Sequence, residues 1–356
     1  MSSHPMAVAV VLTVALVLSR PWLEARRPIV SLVLILGFVL GTGGVRWLGP
    51  DLQAGFTPIL ALATGWLALL AAEAWNLSTL RRAKAGRRLG LSLLCAVAAA
   101  VVMAAVARWL GLPAPWAAGL LLAAACIAQD PEAARDALSR ATLPDARARL
   151  APSGASVSLG AALLFSSLAQ VPAVGGSATT FHLAPDATST ITLGVLLGVI
   201  AVLMLRLAQG SGMLLALLAA LAVTGCGVAL WLDLSACALL FCAGVILAND
   251  ASRRDLVFAL LRQWERPALC AMLLLAGASL GVGLAPGGYF PAICLMTAGV
   301  LLARFVIFGA RWREAMALPP LVLVLTLSTA TRPEPAAIAM ALVAGEVILL
   351  PSRRPR

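Results

Sequence analysis

The chain is 356 residues long, 62% hydrophobic and only 12% charged, whereas a water-soluble domain carries about 25% charged and about 45–50% apolar residues. That composition excludes a soluble globular protein and predicts an all-α polytopic membrane protein; with roughly 20 apolar residues per crossing of about 30 Å of hydrocarbon, about thirteen spans use up most of the length and leave no soluble domain. The net charge of +11 comes from arginines placed between apolar segments, where the positive-inside rule expects them, so nucleic acid is not an expected partner.

Taken in chain order, the apolar runs predict spans at about 5–19, 28–49, 54–75, 89–110, 114–138, 152–172, 189–208, 210–231, 234–249, 266–284, 289–310, 314–331 and 335–351. The run from Pro5 to Leu18 has no basic stretch before it and reads as a first span rather than a cleaved signal peptide. Charge then alternates along the connections. Arg20, Arg26 and Arg27 follow span one, Arg81, Arg82, Lys84, Arg87 and Arg88 follow span three, and Arg140, Arg147 and Arg149 follow span five. Arg253, Arg254, Arg262 and Arg266 follow span nine, Arg311 and Arg313 follow span eleven, and the tail carries Arg353, Arg354 and Arg356. The opposite connections are nearly free of Lys and Arg, which predicts a bacterial-type inner-membrane protein with its N-terminus outside and its C-terminus in the cytoplasm.

Two spans carry interruptions. The fifth runs cleanly from Ala117 to Ala128 and then meets Gln129, Asp130, Pro131 and Glu132. A proline removes a backbone hydrogen bond and a carboxylate is costly in hydrocarbon, so this pattern predicts a broken helix lining a cavity. The alternative is a helix that ends at Gln129 with its acids solvated. The twelfth span holds Pro319 and Pro320 in its first half. Two interrupted helices in corresponding halves of a chain point to a secondary-transporter binding site, whereas either alone reads equally as a proline kink.

Small residues recur as Gly37-x-x-x-Gly41, Gly194-x-x-x-Gly198 and Gly277-x-x-x-Gly281, a spacing that lets helices approach closely. The seven cysteines lie in apolar runs without metal-ligand spacing and read as reduced packing residues. His182, in a polar outer connection, reads as a surface histidine. No Walker loop, GxSxG elbow or HExxH sequence occurs, so neither enzymatic chemistry nor a cofactor or metal is expected.

With the spans placed, several stretches resemble the monovalent cation:proton antiporter superfamily of Kef- and Nha-type exchangers. GFVLGTGGVRWLGP resembles the family's Gly-rich second helix, and LATGWLALLAAEAWNLSTLRR a helix closing on an acidic residue, here Glu73, before a basic run. CIAQDPEAARDAL resembles the Thr-Asp-Pro segment of the broken helix, with Asp130 and Pro131 matching and Gln129 in place of Thr. LSACALLFCAGVILAND and MLLLAGASLGVGL resemble the later Phe-x-Ala-Gly and Val-Gly-Ala-Ser-Leu helices, and in LLARFVIFGARW Arg304 stands where the family often carries a basic residue facing the ion site. The likeness covers about residues 28–330.

The resemblance implies two inverted five-helix repeats with two crossed broken helices, a homodimer, and exchange of a monovalent cation against protons. On that scheme residues 1–27 form an extra helix, 28–172 the first repeat, 173–233 connecting helices and 234–356 the second repeat. One departure is pronounced. The helix expected to carry an Asn-Asp or Asp-Asp pair reads PSGASVSLGAALLFSSLAQVP, contains no acid, and places Ser156 and Ser158 in that neighbourhood. A hydroxyl does not titrate near neutral pH, so either another carboxylate couples the exchange or the chain is a transport-inactive scaffold or sensing subunit of a larger complex.

Asp130 is the leading titratable candidate and equally a cap for the half-helix starting at Pro131. Arg304, flanked by VLLA and FVIF, is its expected partner, since a lone arginine at that depth is costly. Secondary candidates are Glu132, which reads as a funnel-wall residue; Glu346, inside the run from Ile338 to Leu350; and Glu73, which reads as an interfacial carboxylate paired with nearby arginines. Asn249 and Asp250 close span nine as cytoplasmic-edge residues.

The charge alternation makes a direct prediction. In a chain with its seven native cysteines replaced, single cysteines at Ser2 and Ser352 should be labelled by an impermeant reagent from opposite sides of the membrane; labelling of both from one side contradicts the topology.

Overall fold

A computed structural model describes residues 33, 35–41, 57–77, 184–208, 210–232, 234–250 and 254–283, apart from Gln209 and Asp233, together with isolated positions in predicted spans one and four. The described residues are helical and contain no strand. In chain order they form α1 (Thr57–Ala71), tightened by a 3₁₀ turn at Ala72–Trp75, then α2 (Ala184–Leu207), α3 (Ser211–Trp231), α4 (Ala236–Asn249), α5 (Arg254–Gln263) and α6 (Glu265–Gly283). Residues 35–40 are also helical. Predicted spans five, six and eleven to thirteen lie outside the described residues.

Four spans read from apolar runs fall almost where the helices do. α3, α4 and α6 match predicted spans eight, nine and ten to within two residues at each end. α2 begins five residues before its apolar run, at Ala184, with Pro185 in its first turn, where a missing backbone N–H costs nothing. Within α2 and α3, Thr188–Leu207 and Ser211–Trp231 are long and apolar enough to cross a bilayer.

The stretch between spans nine and ten, read from the sequence as a basic connection, is instead the amphipathic helix α5. Val257, Phe258, Leu260 and Leu261 are buried while Asp255, Arg262 and Gln263 are exposed, an apolar stripe at helical period. Ten residues are too few to span, so the polar half of α5 must reach water or headgroups.

The core is built around α4. Apolar on every side, it packs against α1, α2, α3, α5 and the 3₁₀ turn, as an all-apolar helix must. Its first turn is capped by Ser235, whose hydroxyl accepts from the Ala238 N–H at 3.3 Å. Leu240, fully buried, drives one methyl at Gly65 of α1 and the other at Gly225 of α3. Gly244 lets α1 close on α4, since a Cβ there would stand 2.7 Å from the Ala72 methyl.

Two of the three glycine pairs are taken up by contacts within the chain. Gly194 and Gly198 of α2 lie against Leu239, Cys242 and Ala243 of α4. Gly37 and Gly41 lie against the backbone of Leu274 and Ala278 in α6. Close approach of this kind replaces the hydrophobic drive that lipid cannot supply. Ala201 and Leu205 of α2 are buried along with Gly194 and Gly198, while the opposite side of the helix faces outward, with Leu196, Leu203 and Leu207 each more than half exposed.

These contacts make two glycines behave oppositely. Gly194→Ala would put its methyl 2.5 Å from the Leu239 carbonyl oxygen and should cost about 1–3 kcal/mol. Gly227→Ala in α3 meets nothing within 4 Å and should leave stability unchanged or raise it by up to about 1 kcal/mol. Thermal unfolding of the two purified variants in detergent checks the contrast.

Candidate functional site

The contacts along α4 fix helix directions. Gly194 meets Leu239 and Gly198 meets Ala243, so α2 runs parallel to α4; Leu240 meets Gly65 and Gly244 meets Ala72, so α1 does too. All three helices therefore finish at one end of the packed body, where the described polar side chains gather.

Glu73 stands in the 3₁₀ turn that ends α1, and both of its carboxylate oxygens accept from Arg262 Nη2 of α5 at 2.6 Å. The Glu73 backbone carbonyl accepts from Arg254 Nη2 at 3.2 Å. Carbonyls in a last helical turn lack an intrahelical partner, so Arg254 satisfies one that would otherwise be orphaned. Asn249, the last residue of α4, clamps the same turn: its Nδ2 donates to the Trp75 carbonyl at 3.2 Å and to the Val245 carbonyl at 2.7 Å, while its Oδ1 accepts from the Leu77 N–H at 2.8 Å. Beside it, Asp250 pairs with Arg206 of α2 at 3.2 Å. Deeper in the body, Trp66 Nε1 donates to the Leu261 carbonyl at 3.0 Å, tying α5 to α1, and Trp75 meets the Phe241 ring edge-to-face at 5.7 Å.

Of the candidate ion-site residues singled out in the sequence, Glu73 alone falls among those described, and it is paired with Arg262 of α5 rather than with the basic run that follows it in the chain. Asp130, Arg304, Ser156, Ser158, Glu132, Glu346, Pro131, Pro319 and Pro320 lie outside the described residues. No local pattern points to Arg262 as the partner, because 189 residues separate it from Glu73. Nor does any show the clamp of Asn249, which looked like an edge residue until its amide was seen on the end of another helix. Among the described residues no three His, Cys, Asp or Glu side chains come together to hold a metal. Cys226, Cys237 and Cys270 are buried, and the Cys226 thiol donates to the Ala61 carbonyl at 3.3 Å.

The corner is thus a polar tie between helix ends, and its members should differ in weight. Asn249→Ala removes three hydrogen bonds and should destabilise by about 1–2 kcal/mol; Asn249→Asp, keeping the acceptor but losing both donors, should recover only part. The Glu73–Arg262 pair is partly solvated, so a double-mutant cycle with Glu73→Gln and Arg262→Gln should give a coupling of no more than about 1 kcal/mol. Unfolding midpoints in detergent measure both.

No family model matches the chain, and no curated protein sequence does. Among solved structures the chain is similar to the sodium proton antiporter MjNhaP1 from Methanocaldococcus jannaschii, with a TM-score of 0.63 and 15% identity, over 97% of this chain and 94% of that one. At that identity the similarity is one of fold, and it extends over nearly the whole length of both chains.

Proposed function

We propose that the chain is a polytopic inner-membrane secondary transporter that exchanges a monovalent cation for protons by alternating access. The observation that carries this reading is the fold similarity to a sodium proton antiporter across 97% of the chain. The spanning length of α2 and α3 supports it. So does the gathering of Arg206, Arg254 and Arg262 at one end of the body, which is the cytoplasmic end under the positive-inside rule.

In this proposal the chain has thirteen spans in two inverted repeats, with broken helices at Asp130-Pro131 and Pro319-Pro320. Asp130 is the titrating group, binding the proton in one state and the cation in the other, and Arg304 balances its charge between turnovers. Ser156 and Ser158 supply neutral oxygens where the related exchangers carry acids. Glu132 lines the cytoplasmic funnel and Glu346 is a secondary carboxylate. The transporter acts as a homodimer; since α6 occupies Gly37 and Gly41, the dimer contact uses other surfaces.

One observation favours a second reading. PSGASVSLGAALLFSSLAQVP has no acidic residue, and without a competing carboxylate the same fold serves as a transport-inactive scaffold or sensing subunit.

Proteoliposomes separate the two. With an inside-acid gradient, external Na⁺, K⁺ or Li⁺ should release protons from vesicles holding the wild type. The signal should fall at least about tenfold in Asp130→Asn and survive Ser156→Ala combined with Ser158→Ala. Arg304→Leu should recover part of the stability that Asp130→Asn loses. Absence of proton release with every cation between about pH 6 and 9, where a buried carboxyl can titrate, rejects exchange and leaves the scaffold.

A further inference from the structure

We infer that the outward side of α2 is a lipid-facing belt matched to a bilayer thinner than average, with a hydrocarbon core of about 25 Å instead of about 30 Å. The inference rests on the proposal that the chain spans a membrane and not on what it exchanges.

Residue size identifies what covers this side. Val195, Leu196, Val199, Ile200, Leu203 and Met204 recur at three- and four-residue intervals along α2 and are all exposed. Where the described helices meet one another, glycines stand at the contact: Gly194 and Gly198 on the opposite side of α2, Gly37 and Gly41 against α6, Gly244 against α1. Close helix contact in a membrane calls for such small residues. A side made of valine, isoleucine, leucine and methionine, with its glycines turned inward, suits fluid acyl chains instead.

The height of the belt follows from where polar side chains end it. At its outer end the exposed stripe passes from Ile191 to Thr188 and Ser189, with Thr192 also exposed. At its inner end Leu207 stands beside Arg206, whose side chain is exposed and held by Asp250 at 3.2 Å. At 1.5 Å per residue the stretch from Ile191 to Leu207 rises about 24 Å.

Two neighbouring helices give similar heights. Along α3 the exposed residues run from Met213 to Trp231, a rise of about 27 Å. Trp231 is 82% exposed at the end away from the arginines, and tryptophan is the residue type that settles at the headgroup boundary. α4 rises about 21 Å between its Ser235 cap and its Asn249 clamp. Tilt away from the membrane normal shortens every one of these heights, so each is an upper limit. A belt shorter than the surrounding hydrocarbon thins the bilayer, at a cost that grows with each ångström of mismatch.

The test uses the purified full-length chain. Nitroxide labels placed singly at Leu196 and Leu203, after replacement of the native cysteines, should show in nanodiscs the high oxygen accessibility of lipid-exposed sites. Low accessibility at either position means that a second copy or another protein covers the stripe, and overturns the inference. The wild type is also reconstituted in monounsaturated phosphatidylcholines with hydrocarbon cores of about 25, 30 and 35 Å. Its unfolding midpoint should be highest in the thinnest and at least about 4 °C lower in the thickest. A midpoint highest in either thicker bilayer overturns the inference, as does one that ignores thickness. Ser189→Leu with Thr192→Leu extends the stripe by about one turn at its outer end. That variant should be most stable in the intermediate bilayer, and an optimum that does not move overturns the belt as its cause. None of these readouts uses proton release, so rejection of cation exchange leaves the belt standing and failure of the belt leaves exchange to its own assay.

Discussion

Backbone amides carried through hydrocarbon find no water to bond with, and every feature of the packed body follows from that constraint. Helices answer it along their length, leaving their ends and their mutual contacts to be arranged by side chains. Lipid tails are as apolar as leucine, so helices gain little from hiding apolar surface from them and associate by approaching closely. Hence glycine rather than leucine marks the contacts of α2 with α4 and of residues 37–41 with α6, and the knob of Leu240 finds Gly65 and Gly225 waiting for it. The short helix α4, 14 residues long, is tolerable within this body because its neighbours shield it.

The helix ends meet the same constraint with polar chemistry. Ser235 caps the start of α4, and Asn249 at its other end reaches across to the backbone of residues 75 and 77, just past the end of α1. An asparagine suits this task because one amide supplies both donor and acceptor. With the Glu73–Arg262 and Arg206–Asp250 pairs, three helices and the surface helix α5 are bound at one level.

Much of this was legible in the sequence, and the illegible part has a physical cause. Span positions emerge from the length of apolar runs, a local property, which is why α3, α4 and α6 were placed to within two residues. α5 escaped notice because its stripe from Val257 to Leu261 is short and its arginines read as a loop, though the period of the stripe was there to be seen. The Glu73 partner and the Asn249 clamp depend on tertiary neighbours well over a hundred residues away, which no local pattern encodes. The glycine spacing announced close contact without naming the contacting helix, which for Gly37 and Gly41 is α6.

The parallel arrangement of α1, α2 and α4 has an electrostatic consequence. Each helix carries about half a negative charge at its C-terminus, and three of them end together where two, α3 and α5, begin, so among the described helices the negative ends outnumber the positive ones. The field at that end is negative before any side chain is counted. Arg206 in the last turn of α2, Arg254 on the final carbonyls of α1 and Arg262 beside them stand where that field is strongest. Arginines of the kind a topology rule counts thus also neutralise the converging dipoles of these helices, and the backbone itself helps to hold them in place.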